Sequence, residues 1–300
     1  MSQGDYDDSG GQQGLPLGLL LRYGIAALIA LVGVGMYMFR TQVNPVTGEK
    51  QHIAMDVDQE RALGLQAAPR MAQQMGGETD PRDDPNAMLV SEVGRRLVDR
   101  SDAARSPYSD NFHFHLLNDP KTINAFALPG GQVFITKGLF RKLTSEAQLA
   151  GVLGHEIGHV IERHTAQQMA TGQLGQILTT AVGVGASGGD DRGRKAAMAA
   201  ALANQMFSLR YSRQDESQSD GIGLKYMAQA GYDPKAMLDV MKILKEASKG
   251  ARQPEILATH PLPETRLAAI QEQLDKDYPN GVPPDLTEGR KLPGSPSAEE

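Results

Sequence analysis

Two histidines and a glutamate stand together in one apolar stretch, and their spacing suits a metal site. The stretch reads LAGVLGHEIGHVI over residues 149–161. His155 and His159 are four positions apart, so on a helix both imidazoles project from the same face, one turn apart. Zinc takes neutral nitrogen ligands at about 2.0–2.1 Å in a tetrahedron, and this pair supplies two of them. Glu156 lies beside the first histidine, where its carboxylate can take a proton from a water at the metal.

A catalytic zinc site needs a third protein ligand and an open position for water. Glu216 and Asp220 are four apart in the segment YSRQDESQSDG, so on a helix they face the same way. This spacing suits one carboxylate on the metal and another that accepts the N–H of a ligand histidine and fixes its tautomer. Solvated helix faces often show such a pair. Together with the histidine helix, however, it is the best completion of the site.

The remaining histidines near these motifs are weaker candidates. The three-histidine zinc pattern needs glycine at position 162 and histidine at position 165, whereas this chain has Glu162 and Thr165. His164 is therefore interpreted as a surface residue or as one that supports a ligand. His113 and His115 share one face of a predicted strand, and a half-solvated strand face explains them better than a metal does.

The elements that position these residues are mostly helices. Ser145 caps the metal helix, which is expected to run to about Met169, and Thr171 to Gly189 is interpreted either as a mobile lid or as an ordinary loop. Further helices are predicted at Asp56–Met75, Ala87–Ala104, Lys195–Phe207, Lys235–Glu246 and Glu264–Leu274. Extended stretches at Phe112–Leu117, Ile123–Leu128 and Gln132–Thr136 predict a small sheet just before the metal helix.

Composition excludes several classes of protein. The chain has 300 residues and a net charge of −6, without a run of Lys or Arg, so nucleic acid is not expected as a partner. Cysteine is absent, which excludes a disulfide framework, a thiolate zinc site and a cysteine nucleophile.

The N-terminal part predicts a membrane anchor. Residues 1–14 are polar and read as a disordered leader, and residues 15–40 are almost wholly apolar. Tyr23 to Phe39 carries no charge and lies at the lower limit of the about 17–25 residues that cross a bilayer, while Arg22 can snorkel to the interface. A cleaved signal peptide and a buried core helix are the alternatives. Arg22 on one side and Arg40 and Lys50 on the other leave the orientation open.

The other boundaries follow from turn chemistry and composition. Residues 41–55 are expected to form a juxtamembrane link, either irregular or a small hairpin, because Asn44-Pro45 and Thr47-Gly48 favour turns. A folded domain is expected over residues 56–277. Residues 278–300, rich in Pro, Gly and acidic residues, predict a disordered tail.

Four segments in order resemble the membrane-associated gluzincin peptidases, a family that includes HtpX, the CaaX prenyl proteases and the stress-activated peptidase of the mitochondrial inner membrane. The similarity is greatest to the bacterial periplasmic members. The segments are NAFALPGG at residues 124–131, the H-E-x-x-H at His155, R-x-x-E-x-x-x-D at residues 213–220, and Thr259-His260-Pro261 followed by Arg266. The family usually has alanine just before the aspartate of the third motif, where this chain has Ser219.

The resemblance implies an α+β fold, mainly α with a small β-sheet, in which a zincin-type (gluzincin) catalytic domain follows a single transmembrane helix. It implies one zinc ion held by His155, His159 and Glu216, with Glu156 as general base and Asp220 supporting a ligand. Arg213 and Arg266 are expected to tie segments together through carboxylates.

The resemblance also assigns residues around the metal. His260 would lie on a loop that approaches the zinc, where it either helps to stabilise the oxyanion or occupies the fourth position in a latent state. An ordinary residue before Pro261 at a helix start is the alternative. The strand segment Asn124, Ala125 and Phe126 would bind an extended substrate by pairing with its backbone.

The function expected from these motifs is a membrane-anchored zinc endopeptidase with protein or peptide substrates. A role in quality control of misfolded or membrane-associated proteins is expected, with the catalytic domain on the periplasmic side. A chaperone or assembly factor on the same zinc scaffold is the alternative. A purely structural metal domain is disfavoured, because Glu156 would then have no task.

Overall fold

A computed structural model describes residues 17–53, 55–186, 210–250, 254–261 and 264–292. The described part is mainly helical with two small sheets, as the sequence predicts. The predicted leader at residues 1–14 and the predicted helix Lys195–Phe207 lie outside the described residues.

The first described element is an apolar helix, α1, at Leu17–Phe39. Its window Leu20–Phe39 is long and apolar enough to cross a membrane, and 6% of that window is buried within the protein. Strands β1 (Thr41–Val43) and β2 (Lys50–His52) follow as an antiparallel hairpin. The predicted juxtamembrane link therefore takes the hairpin form of the two alternatives.

Two α-helices lie between the β1–β2 hairpin and the main sheet. Helix α2 (Val57–Gln74) begins at a capping box formed by Asp56 and Gln59, and helix α3 (Pro85–Asp99) is capped by Asp84. The second helix ends five residues before the predicted Ala104, because the chain there turns into a short 3₁₀ segment, Asp102–Arg105, capped by Ser101.

The main sheet has three strands, β3 (His113–Leu117), β4 (Ala125–Leu128) and β5 (Gln132–Thr136). Strand β5 lies in the middle, parallel to β3 and antiparallel to β4, so β4 is an edge strand. Gly130 has a φ of 82° in the turn between β4 and β5, and a Cβ there would lie 2.5 Å from the Arg61 Cα. Glycine at this position therefore lets the turn pack against α2.

The short helix α4 (Lys137–Phe140) leads into the metal helix, α5 (Glu146–Ile161), which Ser145 caps as predicted. The prediction that α5 runs to Met169 is wrong. The chain breaks at Arg163, which has a φ of 58° and whose guanidinium binds the buried Glu60 carboxylate, with Nε to Oε1 at 2.9 Å. This contact to α2 is distant in sequence, and local propensity does not reveal it.

A new helix, α6 (His164–Ala186), starts after the break. The interpretation of Thr171 to Gly189 as a loop or lid is therefore wrong up to Ala186, and residues 187–189 lie outside the described part. Helix α6 packs along α1, where a Cβ at Gly33 would lie 2.5 Å from Ile177 Cγ2. The apolar stretch of α6 is thus a packed helix beside α1.

Four helices follow in the described residues after position 209: α7 (Arg213–Gln229), α8 (Ala236–Ala247), α9 (Ile256–Thr259) and α10 (Glu264–Asp277). The chain then returns to the start of α5, where the Ser145 hydroxyl donates to the Glu288 carboxylate and the Glu146 N–H donates to the Arg290 carbonyl at 3.0 Å. The prediction of a disordered tail from residue 278 thus differs from the structure, which anchors residues up to the buried Leu292. Residues 293–300 lie outside the described part.

The hairpin β1–β2 is fastened to the C-terminal end of α5. The Asn44 side chain donates to the Ile161 carbonyl at 2.7 Å. The Gln51 side chain donates to both the carbonyl and the carboxylate of Glu162, each at 2.9 Å. The side chains of Asn44, Gln51 and Glu162 are all buried. Their hydrogen bonds therefore hold the hairpin that follows α1 firmly against the end of α5.

Helices α5 and α7 approach each other closely through small residues. A Cβ at Gly154 would lie 3.3 Å from the Gly223 Cα, and one at Gly158 would lie 2.9 Å from the Ser219 Cα. Gly158 stands between His155 and His159 on α5, and Ser219 stands between Glu216 and Asp220 on α7. This contact therefore sets the distance between the two predicted halves of the metal site.

We expect Gly158→Ala to lower the free energy of unfolding by about 1–3 kcal/mol, because the added methyl meets backbone that must move away. The measurement is chemical denaturation of the purified chain. Gly221→Ala is the matched control on α7: a Cβ there meets nothing within 4 Å, so the usual helix preference for alanine should stabilise the protein by about 0.5–1 kcal/mol. Equal effects of the two substitutions would contradict the close contact.

Candidate active site

Four side chains from three helices meet at one buried point. His155 and His159 come from α5 and Glu216 from α7, and His260 follows the last residue of α9. His155 Nε2 lies 3.0 Å from His159 Nε2, 3.3 Å from His260 Nδ1 and 3.7 Å from Glu216 Oε2. Glu216 Oε1 lies 3.5 Å from His159 Nε2 and 2.9 Å from His260 Nδ1.

These distances suit zinc. Ligand bonds of about 2.0–2.1 Å in a tetrahedron place the donor atoms about 3.3 Å apart. The five separations, taken to the nearer oxygen of Glu216, range from 2.9 to 3.7 Å, and one ligand atom from each of the four residues lies within 4.8 Å of the others. Imidazole nitrogen and carboxylate oxygen are also the donor types that zinc accepts. His155, His159 and Glu216 could hold the metal, and the His260 Nδ1 stands at the fourth corner of the cluster.

Glu156 lies next to this cluster with an unsatisfied carboxylate. Its side chain is buried, and neither Oε1 nor Oε2 has a hydrogen-bond partner. Burial raises the pKa of Glu156, and the nearby Glu216 carboxylate adds to this, while His260 and His155 oppose it. No hydrogen bond satisfies this buried carboxylate, although its Oε1 lies 3.8 Å from His260 Nε2, so a further donor such as water would lower the free-energy cost of its burial.

Asp220 and Arg266 support the cluster from behind. His155 donates from Nδ1 to Asp220 Oδ1 at 2.9 Å, which leaves the His155 Nε2 free for a metal. Arg266 donates from Nε to Asp220 Oδ2 at 2.8 Å, and its Nη1 also contacts Glu216. Although burial opposes it, the hydrogen bond from His155 and the charge of Arg266 hold the pKa of Asp220 at about 2. The tie through carboxylates expected of Arg266 is therefore present, whereas Arg213 is exposed at the start of α7.

Two residues around His159 were not identified from the sequence as parts of the site. The Tyr211 ring stacks on the His159 ring at 3.9 Å between centroids, and the Tyr211 hydroxyl lies 3.0 Å from Thr165 Oγ1. No sequence motif marks Tyr211 or Thr165. The one sequence signal was the position of Tyr211 just before the R-x-x-E-x-x-x-D motif. Burial, together with the neighbouring histidines, lowers the pKa of His159 well below its usual value, so this ring is neutral as a metal ligand must be.

The other histidines fall outside the donor cluster. His164 is buried, and its Nδ1 lies 3.0 Å from His159 Nδ1, so of the two interpretations it supports a ligand and is not a surface residue. His115 Nδ1 lies 2.5 Å from Glu78 Oε1, and His113 is exposed on the same strand. The strand pair thus stands apart from the predicted metal site.

The three predicted substrate-binding residues lie on or beside β4. Asn124 is buried, and its side-chain Oδ1 has no hydrogen-bond partner. Ala125 is fully buried, while Phe126 is partly exposed and stacks on Phe134 of the central strand at 4.9 Å. A cavity lined by Asn124, Phe126 and His260 connects this strand with the donor cluster.

Comparison with known proteins agrees with this geometry. A family model described as peptidase family M48 matches residues 86–274. The beta-barrel assembly-enhancing protease of Escherichia coli K12 is 32% identical over 265 residues, which cover 85% of this chain and 53% of that protein. The mitochondrial metalloendopeptidase OMA1 of Schizosaccharomyces pombe is 31% identical over 252 residues, covering 83% of this chain and 70% of that protein.

The human mitochondrial metalloendopeptidase OMA1 is 27% identical over 259 residues, which cover 84% of this chain and 48% of that protein. This chain spans about half the length of the bacterial relatives it matches. These matches confirm the resemblance to membrane-associated gluzincins that the four motifs indicate, and the apolar α1 fits a single-pass membrane protein. The chain belongs to peptidase family M48.

Proposed function

We propose that this chain is a zinc-dependent endopeptidase that binds one zinc ion through His155, His159 and Glu216 and uses Glu156 as general base. The observation that carries the proposal is the convergence of these three donor residues, whose nearest nitrogen and oxygen atoms are 3.0 to 3.7 Å apart, beside a buried carboxylate without a hydrogen-bond partner. The names of the M48 relatives, which include a protease and metalloendopeptidases, support it.

Zinc bound at this site supplies a Lewis acid that lowers the pKa of a water and polarises the carbonyl of the substrate. Glu156 takes a proton from the attacking water on a carboxylate oxygen and passes it to the nitrogen of the leaving amine. Asp220 keeps His155 in the tautomer that binds metal through Nε2.

His260 lies among the residues that would hold zinc, which supports the latent alternative among the two roles that the family resemblance implies. Its Nδ1 lies 2.9 Å from Glu216 Oε1 and 3.3 Å from His155 Nε2. With His260 in this position, all four corners of the cluster are protein atoms. His260 must move away before water and substrate reach the site, after which its imidazole is available as a donor to the oxyanion.

The substrate backbone binds along β4 in this proposal. Thr136 N–H donates to the Asn124 carbonyl at 3.0 Å, and the antiparallel pattern alternates from there. The backbone groups of Ala125 and Ala127 therefore face away from β5. Ala125 is fully buried and Ala127 is 9% exposed, so the groups that cover this edge must move before a peptide pairs there. An extended peptide that pairs with these two residues passes the donor cluster.

A chaperone or assembly factor is the second candidate function, and the closed arrangement of His260 favours it. A protein that rests with its fourth corner blocked can bind an unfolded chain without cutting it. The name of the Escherichia coli relative, a beta-barrel assembly-enhancing protease, refers both to assembly and to proteolysis. The intact Glu156 favours proteolysis over this alternative.

The proposal places the chain in a membrane through α1, with the catalytic domain on the periplasmic side and a role in protein quality control. The apolar window Leu20–Phe39 supports the anchor. The packing of α6 along α1 and the hairpin fastened to α5 keep the site close to that anchor, where membrane-associated substrates can reach it.

We expect Glu156→Gln to lower cleavage of an internally quenched peptide by about 10²- to 10⁴-fold, because the general base is lost while the zinc donors remain. Zinc content, measured by elemental analysis, should stay at one ion per chain, and a chelator should abolish cleavage by the unmodified protein. Glu246→Gln, an exposed change on α8, is the control and should leave the rate unchanged. Substantial residual cleavage by Glu156→Gln would remove this residue from the base role.

We expect His260→Ala to raise the rate of cleavage of a short peptide by about tenfold, because more molecules then have a free fourth corner. His113→Ala, another histidine change but on the exposed face of β3, should have no effect. A lower rate in His260→Ala with zinc still bound would instead favour the oxyanion role over the latent one.

We expect protease added to spheroplasts of a bacterial host to degrade the catalytic domain while a cytoplasmic marker protein survives. This result follows if α1 crosses the inner membrane with residues 41–292 outside. Degradation of the domain only after the spheroplasts are lysed would place it in the cytoplasm.

A further inference from the structure

His164 lies between the second proposed metal ligand and α7. It begins α6, directly after the break at Arg163, and its side chain is almost fully buried. Its Nδ1 lies 3.0 Å from His159 Nδ1, and its Nε2 lies 3.1 Å from Gln218 Oε1 on α7. The proposed chemistry does not use His164, so the burial of this polar ring needs another explanation.

The hydrogen between the two imidazoles has one position that suits metal binding. His159 Nε2 faces the donor cluster, 3.5 Å from Glu216 Oε1. A neutral imidazole that gives Nε2 to a metal carries its hydrogen on Nδ1. His159 therefore donates from Nδ1, and His164 must accept on its own Nδ1. Hydrogens on both Nδ1 atoms would point at each other, so His164 must be the neutral tautomer with its hydrogen on Nε2.

The chain of hydrogen bonds continues from His164 to the hairpin. His164 Nε2 donates to Gln218 Oε1, whereas the Asp215 Oδ1 lies 3.8 Å from the same nitrogen, beyond hydrogen-bond range. Gln218 Nε2 in turn donates to Glu49 Oε2 at 2.9 Å. Glu49 lies between β1 and β2, so three hydrogen bonds connect His159 to the hairpin that follows α1.

The outer end of this chain fixes the orientation of the glutamine amide. An amide can turn over and exchange its oxygen for its NH₂ group, which would offer His164 a donor instead of an acceptor. The ionised carboxylate of Glu49 only accepts, so it requires the NH₂ group of Gln218 and turns the Oε1 toward His164. All three hydrogen bonds then run in one direction, from the metal ligand outward.

The two histidine ligands thus have partners of different kinds. His155 donates to the Asp220 carboxylate, which accepts whatever its surroundings are. His159 donates to an imidazole, which accepts on Nδ1 only in one of its two neutral tautomers. Ser219 Oγ also approaches His164 Nδ1, but at 3.4 Å it is the more distant group. The orientation of His159 therefore depends on what holds His164 in the correct tautomer.

We propose that His164 is a positioning residue for the metal site, held in its accepting tautomer by Gln218 and by Glu49 of the hairpin. The proposal rests on the proposed function, because it takes His159 as a zinc ligand through Nε2. It gives the hairpin a second task besides its attachment to the end of α5: it determines how one ligand presents its ring to the metal.

The tautomer of His164 is the first test. Isotope-labelled histidine in the zinc-loaded, full-length chain is observed by NMR in detergent micelles, and the signals lost in His164→Asn identify His164. We expect its hydrogen on Nε2, and that of His159 on Nδ1. A hydrogen on His164 Nδ1 in the zinc-loaded protein would overturn the positioning role. Failure of the unmodified chain to bind zinc would instead overturn the proposed function, so the two failures are distinguishable.

Zinc affinity, measured by competition with a chromophoric chelator, tests the link between the two histidines. We expect His164→Leu to bind zinc about 10- to 100-fold more weakly, because the buried His159 N–H loses its acceptor. His164→Asn retains an oxygen close to the position of Nδ1 and should recover most of this loss. His113→Ala, on the exposed face of β3, is the control. A zinc affinity of His164→Leu within about threefold of the unmodified chain would contradict the proposal.

Glu49→Lys tests the hairpin end, because it replaces an acceptor by a donor at an exposed position. The Gln218 amide must then turn its oxygen to the lysine and its NH₂ group to His164, which favours the wrong tautomer. We expect weaker zinc binding than in Glu49→Gln, whose amide can still accept. Burial and the Glu49 charge raise the pKa of Glu162 to about 7, so removing that charge should not loosen the hairpin.

Glu272→Lys, the same change at an exposed position on α10, is the matched control and should leave zinc affinity unchanged. Weaker zinc binding in Glu49→Lys alone would support the connection from the hairpin to the metal ligand. Equal zinc affinities of Glu49→Lys and Glu49→Gln would overturn the part of the proposal that concerns the hairpin.

Discussion

Gly154 and Gly158 let α7 lie against α5 with no side chain between the two backbones, and the site depends on this contact. Two histidines on one helix define only half of a tetrahedron. The other half must come from a second helix at a distance of a few ångströms, which larger residues at these positions would prevent. Ser219 packs against Gly158. This contact holds Glu216 and Asp220, which flank Ser219 on α7, next to His155. The contact therefore fixes two positions at once: that of Glu216, the proposed metal donor, and that of Asp220, which orients His155.

Charge compensation is the second constraint. Glu216 and Asp220 are both buried, and burial alone would raise their pKa values. Arg266 from α10 reaches both carboxylates and, with the histidines, keeps their pKa values low. Glu156 lacks such a partner, and its pKa rises. Neighbouring carboxylates thus have pKa values shifted in opposite directions. The lowered pKa of Glu216 suits a proposed metal ligand, and the raised pKa of Glu156 suits a proposed proton acceptor.

The parts of this structure that local patterns determine could be predicted from the sequence. The i, i+4 spacings on α5 and α7, the Ser145 cap and the three strands depend on residues close together in the chain. Contacts between distant residues decided the rest. The break at Arg163 comes from its ion pair with Glu60, 103 residues away, and the ordered path of residues 278–292 comes from contacts with the start of α5. Met71 and Met75 of α2 line the cavity beside His260, and no sequence motif marks them.

The fastening of the β1–β2 hairpin to the end of α5 has a consequence for how far the peptidase can act. Asn44 and Gln51 bind the last carbonyls of the helix that carries His159, only a few residues after α1 ends. If α1 lies in a bilayer, as proposed, these hydrogen bonds hold the donor cluster at a set distance from the membrane surface. A polypeptide cut by the proposed peptidase would then have to reach that height above the lipid.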